Sequence, residues 1–248
     1  MDTKGYLWFY SLMVKSEIAR RLFERKESLK AEGYYYSIYN TTSLREASII
    51  DQIEERRYQL VSGIRLRSNY ITLSETDVIS MLKQKGFIES KKNPSGKFIH
   101  EYELVKIKED KVILDYATGL MWHPSGSNIS INIVFSPSSR KAKNWLNKLN
   151  MKGYAGFHDW RYPTVEEAAS LLEKFKWEGP PSLSSKYTKD GYIYVNPIFP
   201  LKQKVIWTGD KESSDNNWVV NLYSGEIFPV EFKKSPFIID IRPVRSMQ

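Results

Sequence analysis

The chain has 248 residues, of which 41% are hydrophobic and 14% aromatic, enough to bury one good core or two small ones. Cysteine is absent, which excludes disulfides, thiolate nucleophiles and cysteine metal sites and suits a reducing, cytoplasmic location. The net charge of +8 is spread along the chain rather than gathered on one helix, so we do not expect a nucleic-acid partner. The first apolar patch, residues 6–14, is too short to span a membrane, and no membrane anchor is expected.

The first part of the chain has the pattern of a helical hairpin. Apolar residues recur at helical spacing over residues 6–30. Ser43 and Glu46 have the capping-box spacing that begins a second helix over residues 44–60. The apolar stripe of that helix is narrow and needs a partner surface, so two antiparallel helices are predicted. We assign residues 1–70 to a helical N-terminal region.

Residues 71–248 form the second predicted domain. It opens with a short helix that Ser74 and Asp77 cap and that Gly86 ends in the left-handed conformation. A β-hairpin follows, because β-prone segments flank a turn in which Asp115 caps the backbone and Gly119 supplies a positive φ.

Two more helices and a second hairpin are predicted beyond this point. Pro137 suits the first turn of a helix. Thr164 and Glu167 form a capping box that begins another helix, which should run through Phe175. The turn at residues 224–225 separates two β-prone segments and predicts a hairpin.

Several of these motifs together resemble the DUF1566 family, also called the Lcl C-terminal domain family. They are the Asp-x-x-Thr-Gly-Leu-Met-Trp run at residues 115–122, the Asp-Trp-Arg-Tyr-Pro-Thr corner at residues 159–164 and the final Arg-Pro-Val-Arg segment at residues 242–245. The residues that carry the resemblance as structural motifs are Thr118, Gly119, Trp122, Asp159, Trp160, Arg161, Pro163, Thr164, Trp207, Trp218, Arg242 and Arg245.

The resemblance covers about residues 73–248. It implies an α+β, C-type-lectin-like domain related to formylglycine-generating enzymes, here preceded by the N-terminal α-helical hairpin. In such a domain the two ends pair in one sheet, two helices flank that sheet, and long loops decorate a second small sheet.

The resemblance does not extend to formylglycine-generating catalysis, which needs a pair of copper-binding cysteines that this chain lacks. We interpret Arg161 as bridging backbone carbonyls and a carboxylate at the corner, with Asp159 capping local amides. His100, His123 and His158 match no metal-site or catalytic spacing. We therefore expect no catalytic residues, no resident metal or cofactor, and no enzymatic activity.

The candidate binding segment is residues 209–217, which is polar and lies where lectin-like folds display ligands. A protein partner is expected, in a hetero-complex or in a homodimer through the N-terminal helices. One alternative is a lectin for polysaccharide or glycosaminoglycan, bound through Ca²⁺ or through the basic charge. Another is an accessory subunit of a bacterial defence (CRISPR-associated) or signalling operon. The candidate contact residues are Asp210, Glu212, Asp215, Asn216, Asn217, Trp177, Tyr187, Tyr192 and Tyr194.

Overall fold

The computed structural model describes residues 64–127, 131–132, 137–178, 186, 188, 191–231 and 238–247. The predicted N-terminal hairpin and Tyr187 lie outside the described residues, so the hairpin and the domain boundary after residue 70 stay predictions. Within the described ranges no helix is both long enough and apolar enough to cross a membrane.

The described ranges contain three α-helices and eleven β-strands. The helices are α1 (Glu75–Lys85), α2 (Pro137–Lys152) and α3 (Val165–Ser170). The strands are β1 (Tyr102–Ile107), β2 (Asp110–Asp115), β3 (Leu120–Trp122), β4 (Ile131–Asn132), β5 (Leu172–Lys176), β6 (Tyr192–Val195), β7 (Val205–Lys211), β8 (Asn216–Asn221), β9 (Glu226–Glu231), β10 (Ile238–Ile239) and β11 (Val244–Ser246). All neighbouring strands pair antiparallel, as expected of an α+β fold.

Four sheets organise these strands. The largest has the order β1-β2-β3-β11, and a second has the order β7-β8-β9. The other two are the ribbons β5-β6 and β4-β10. In the first sheet Val244 of β11 lies opposite Trp122 of β3. The last described strand therefore belongs to the same sheet as the first one.

The start of α1 and both hairpins follow the local signals in the sequence. Ser74 and Asp77 form a complete capping box, and Gly86 ends the helix with φ 70°. Gly119 turns β2 into β3 with φ 67°, and Gly225 turns β8 into β9 with φ 69°. These elements form as predicted because the hydrogen bonds that define them lie within a few residues of one another.

Helix α3 is shorter than predicted. Thr164 and Glu167 form the expected capping box, but the helix ends at Ser170, and Leu172–Lys176 is strand β5. The expectation that the helix runs through Phe175 is therefore wrong. Over β5 the half-buried and exposed positions alternate with the period of two that a strand requires, and β6 supplies the backbone partners.

The segment 209–217 is mostly strand rather than loop. Asp210 lies in β7, Asn216 and Asn217 lie in β8, and only residues 212–215 form the turn between these strands. The prediction missed this because Gly, Asp and Asn are uncommon in strands, so a strand pair rich in them looks like a loop in the sequence.

The core sits on both faces of the β7-β8-β9 sheet. Trp218 and Val220 of β8 pack into the main core with Ala168 of α3. Val219, between them, packs into a smaller cluster with Ala142 of α2. Because successive side chains of a strand point to opposite faces, both faces of this sheet are covered.

Candidate partner-binding site

The corner at residues 159–164 is held by an ion pair between Arg161 and Glu167. Arg161 Nη1 lies 2.7 Å from Glu167 Oε2, Nη2 lies 2.6 Å from Oε1, and Nη1 also donates to the Tyr162 carbonyl at 3.2 Å. Burial alone would lower the pKa of Arg161, but the hydrogen bond and charge of Glu167 raise it above its ordinary value. These are the carbonyl and carboxylate contacts expected of Arg161.

Asp159 pairs with Arg245 instead of capping local amides. Arg245 Nε and Nη2 lie 2.7 Å and 3.2 Å from the two Asp159 carboxylate oxygens. The Arg245 guanidinium also lies 3.9 Å from the ring centroid of Phe157. The pair joins the corner to β11, so Asp159 and Arg161 both have structural partners.

The remaining motif residues also make structural contacts. Gly119 supplies a turn, and Trp122 is fully buried. The other contacts join the Trp160 indole N–H to the Tyr154 carbonyl (3.0 Å), the Trp218 indole N–H to the Leu73 carbonyl (3.0 Å), the Thr118 hydroxyl to the Asp115 carboxylate (2.5 Å), the Gly209 amide to the Pro163 carbonyl (2.8 Å) and the Trp207 amide to the Asp240 carbonyl (2.9 Å).

Arg242 is a fully buried cation. Its Nη1 donates to the Pro124 carbonyl at 2.7 Å, and its guanidinium lies 4.8 Å from the ring centroid of Phe199. Burial lowers the pKa of Arg242 to about 10, against the opposing charge of Asp240. Burial likewise raises the pKa of Asp240 to about 6. Arg242 therefore fills the interior instead of facing a ligand at the surface.

Asp210, a candidate contact residue, is fully buried. The Arg67 guanidinium donates to its two carboxylate oxygens at 2.9 Å and 2.7 Å, and the amides of Ile71 and Val165 each donate at 2.7 Å. These donors already occupy the acceptor positions that a Ca²⁺ ligand would need free. The cation comes from a residue 143 positions away, which no local pattern reveals.

The other polar candidates divide between the interior and the turn. Asn217 is buried, and its side-chain amide donates to the Asp210 carbonyl at 3.2 Å. Asn216 donates to Glu212 at 3.0 Å across the base of the turn. Asp215 is exposed at the tip of the turn. Of the five polar candidates, Glu212, Asp215 and Asn216 thus remain at the surface.

The aromatic candidates do not form one patch. Tyr194 is buried in the main core, and a Cβ at Gly225 would lie 2.3 Å from its Cδ1 atom. Tyr192 is half-buried on the β5-β6 ribbon, where Lys174 Nζ lies 4.3 Å from its ring centroid. Trp177 is half-buried just beyond β5, and its amide donates to the Gly191 carbonyl at 2.8 Å.

A surface that the sequence did not indicate lies beside the β7-β8 turn. Tyr70 and Ile71 are 45% and 43% exposed, and Ile71 accepts a backbone hydrogen bond from Lys211 at 3.1 Å. The Tyr70 hydroxyl donates to the Tyr162 carbonyl at 2.9 Å, which fixes its ring over Gly209. We call Tyr70, Ile71, Lys211 and the turn at residues 212–215 the tip surface.

The sequence model of the Lcl C-terminal domain family matches residues 111–245, a little over half of the chain. The chain belongs to the Lcl C-terminal domain family. The family resemblance inferred from the motifs is thereby confirmed. No curated protein and no solved structure matches the chain.

The Lcl C-terminal domain supplies only part of the tip surface. Lys211 and the turn lie inside the family match, whereas Tyr70 and Ile71 precede it. Helix α1, which the motif comparison had included, also precedes the match. The segment that precedes the match is held to the domain by the pair between Arg67 and Asp210 and by backbone hydrogen bonds between residues 71–73 and Lys211.

Two histidines near the start of the Lcl C-terminal domain differ in their neighbours: one stacks on an aromatic ring and the other contacts a carboxylate. His123 stacks on Tyr154 with ring centroids 4.5 Å apart, and burial lowers its pKa to about 4. His100, just before the family match, is buried with its Nδ1 2.7 Å from Asp115 Oδ2. The pairing of His100 escaped prediction because its partners come from other elements.

In the part of the chain that the structure describes, no group of three or more histidine, aspartate or glutamate side chains is arranged to hold a metal ion. Two carboxylates of the Lcl C-terminal domain, Asp159 and Asp210, are paired with arginines. Tyr70 and Ile71 are among the large apolar side chains exposed at the surface, and they lie beside the polar turn.

Proposed function

We propose that the chain is a non-enzymatic binding module that holds a protein partner through the tip surface and through its N-terminal region. The observation that carries this proposal is the pair Tyr70 and Ile71, two large side chains left almost half exposed beside a polar turn. An apolar centre with a polar rim is the usual composition of a protein interface.

The charged motif residues are already ion-paired and hydrogen-bonded to other parts of the fold, which supports a binding role over a catalytic one. General acid-base catalysis needs a side chain that can give or take a proton, such as a carboxylate or a histidine, within reach of a substrate. Here Glu167 is saturated by Arg161 and by the Thr164 cap, and Asp210 is saturated by Arg67 and two amides. Redirecting either group to a substrate would break a buried pair.

The rigidity of Tyr70 supports its use as a contact. Its hydroxyl is bound to the Tyr162 carbonyl and its ring rests on Gly209. A large aromatic ring that is held in place loses little conformational entropy on binding.

We also propose that the fold is C-type-lectin-like. Two features support it: β11 joins the sheet that contains β1, and a separate three-stranded sheet, β7-β8-β9, carries the tip surface. A partner would then be bound by the second sheet and its turns, as expected from the family resemblance.

Affinity purification of the tagged full chain from its native host tests the proposed function. The tip variant is Ile71→Gln with Lys211→Glu, which removes the apolar contact and reverses one charge while leaving the backbone bonds of both positions in place. The matched control is Met151→Gln with Lys148→Glu on α2, where Met151 is 83% exposed. Quantitative mass spectrometry compares the co-purified proteins.

We expect one protein to be enriched with the wild type and with the α2 control, and to fall about tenfold with the tip variant, the loss typical of an interface anchor. Equal recovery from both variants would refute the tip surface as the contact. Failure of the wild type to enrich any protein above the tag alone would refute the binding role.

A further inference from the structure

His100 lies where three elements meet. Its Nδ1 is 2.7 Å from Asp115 Oδ2 at the end of β2, and its Nε2 faces the Ser170 carbonyl at the end of α3. Glu173 Oε1 of β5 lies 3.7 Å from the same Nε2. The imidazole side chain is fully buried. One ring therefore contacts β2, α3 and β5 at once.

Both ring nitrogens of His100 face acceptors. The Ser170 carbonyl can only accept, and Asp115 Oδ2 already accepts from the Thr118 hydroxyl at 2.5 Å. A neutral imidazole has one N–H and would leave one of these acceptors opposite a nitrogen lone pair. The imidazolium has two N–H groups and satisfies both. The hydrogen bonding therefore favours the doubly protonated ring.

The groups around the ring favour its charge. Burial by itself lowers the pKa of His100, but the hydrogen bond and charge of Asp115, with Glu173 and the Ser170 carbonyl, raise it above its ordinary value. Two aromatic rings also contact the imidazole. Tyr102 of β1 stacks on it with centroids 4.6 Å apart, and the Phe98 ring lies edge-on at 4.7 Å.

We propose that His100 is a proton-operated clamp that fastens the β5-β6 ribbon to β2 and the end of α3. With both nitrogens protonated, the ring bridges Asp115 to the Ser170 carbonyl and attracts Glu173. Loss of one proton removes a charge-assisted hydrogen bond and the attraction to Glu173, and it loosens the outer part of the ribbon. This device needs no partner and is independent of the proposed function.

The clamp lies close to side chains that the β5-β6 ribbon presents at the surface. Glu173 lies on β5 beside Lys174, which contacts the Tyr192 ring, and Trp177 follows the same strand. A looser ribbon would change how Tyr192 and Trp177 are presented. The inner end of the ribbon stays anchored, because Leu172 and Val195 belong to the main core.

Two measurements on the full chain test the clamp. NMR spectra of the histidine nitrogens follow the protonation of His100 against pH. Amide hydrogen exchange, corrected for the intrinsic effect of pH, compares residues 173–176 and 192 with strands β8 and β9. We expect a midpoint above 6.5, the ordinary value. We expect protection of the ribbon to fall about tenfold across that midpoint while β8 and β9 do not change.

Two variants separate the clamp from a general effect of pH. Glu173→Gln removes the nearby charge and should lower the His100 midpoint by about one pH unit. Glu178→Gln removes an exposed charge just beyond β5 and should leave the midpoint unchanged. A wild-type midpoint at or below 6.5, ribbon protection that tracks β8 and β9 through the midpoint, or equal shifts in the two variants would overturn the proposal.

Discussion

Arg161 and Glu167 face each other across the corner that begins α3, with both nitrogens of the guanidinium fork on both oxygens of the carboxylate. The side chain of Glu167 is 1% exposed and that of Arg161 is 22% exposed. The carboxylate also accepts the Thr164 amide at 2.8 Å. One ion pair therefore holds the corner closed and caps the helix.

Replacing Arg161 with alanine should destabilise the protein by about 3 kcal/mol, because Glu167 would be left as a buried, unpaired carboxylate. Urea unfolding at neutral pH measures the change. Lys106→Ala is the matched control, since its pair with Glu109 is exposed and should contribute less than about 0.5 kcal/mol. Similar losses in the two variants would show that the corner pair is not structurally important.

Asp210→Asn should destabilise the protein by about 2 to 3 kcal/mol, because the amide removes the charge that Arg67 and two backbone amides bind. Adding Ca²⁺ to the wild type should leave the Tm unchanged, since these donors already fill the carboxylate. Differential scanning fluorimetry with Ca²⁺ and with EDTA measures both effects. A rise in Tm that depends on Ca²⁺ and disappears in Asp210→Asn would instead support the hypothesis of a calcium-dependent lectin.

Gly225→Ala should be more destabilising than Gly191→Ala. Both glycines have positive φ, 69° and 76°, so alanine strains either turn by about 1 kcal/mol. At Gly191 nothing lies within 4 Å of the new Cβ, whereas at Gly225 the Tyr194 ring lies 2.3 Å away. Chemical denaturation of both variants measures the difference. Equal losses would mean that the Tyr194 ring moves aside without cost.

The stability of the protein should decrease as pH rises above about 6.5. The folded His100 binds its proton more tightly than the unfolded one, so its contribution is complete below pH 6.5 and is lost as pH rises through the folded pKa. Each unit by which the pKa is raised corresponds to about 1.4 kcal/mol.

Asp240 also favours its protonated form, and with its pKa of about 6 it loses its contribution mainly around pH 6 in both proteins. Unfolding free energies of the wild type and of His100→Gln are therefore measured from pH 6 to pH 9, and the difference between the two curves isolates the histidine. The wild-type stability should decline more over this range than that of the variant. Parallel curves would show that another group causes the pH dependence.

Parts of the fold could be read from neighbouring residues. The Ser74–Asp77 and Thr164–Glu167 caps and the turn at Gly119 involve partners no more than a few positions apart. The contacts of Arg161 were also predictable in kind, because its carboxylate is six residues away and belongs to the cap. The family motifs are short because the contacts that they encode also join residues a few positions apart.

The binding candidates were harder to predict. Polar character marked Asp210 and Asn217 as loop residues, yet both lie in buried strands. Tyr70 and Ile71 were not singled out, since nothing local distinguishes an exposed tyrosine from a core one. Exposure depends on what packs against a side chain, and here that is Gly209, far along the chain.

The sequence by itself determined the helix caps, the glycine turns, the family and the absence of cysteine chemistry, because each of these depends on residue type and short spacing. The tertiary structure decided that β5 is a strand, that Asp210 is neutralised by Arg67 and that His100 bridges three elements. In each of these cases the partner is brought in by folding from a different element of the fold. The free energy of burying a charge or pairing a strand depends on that distant partner, so the local sequence alone does not predict these contacts.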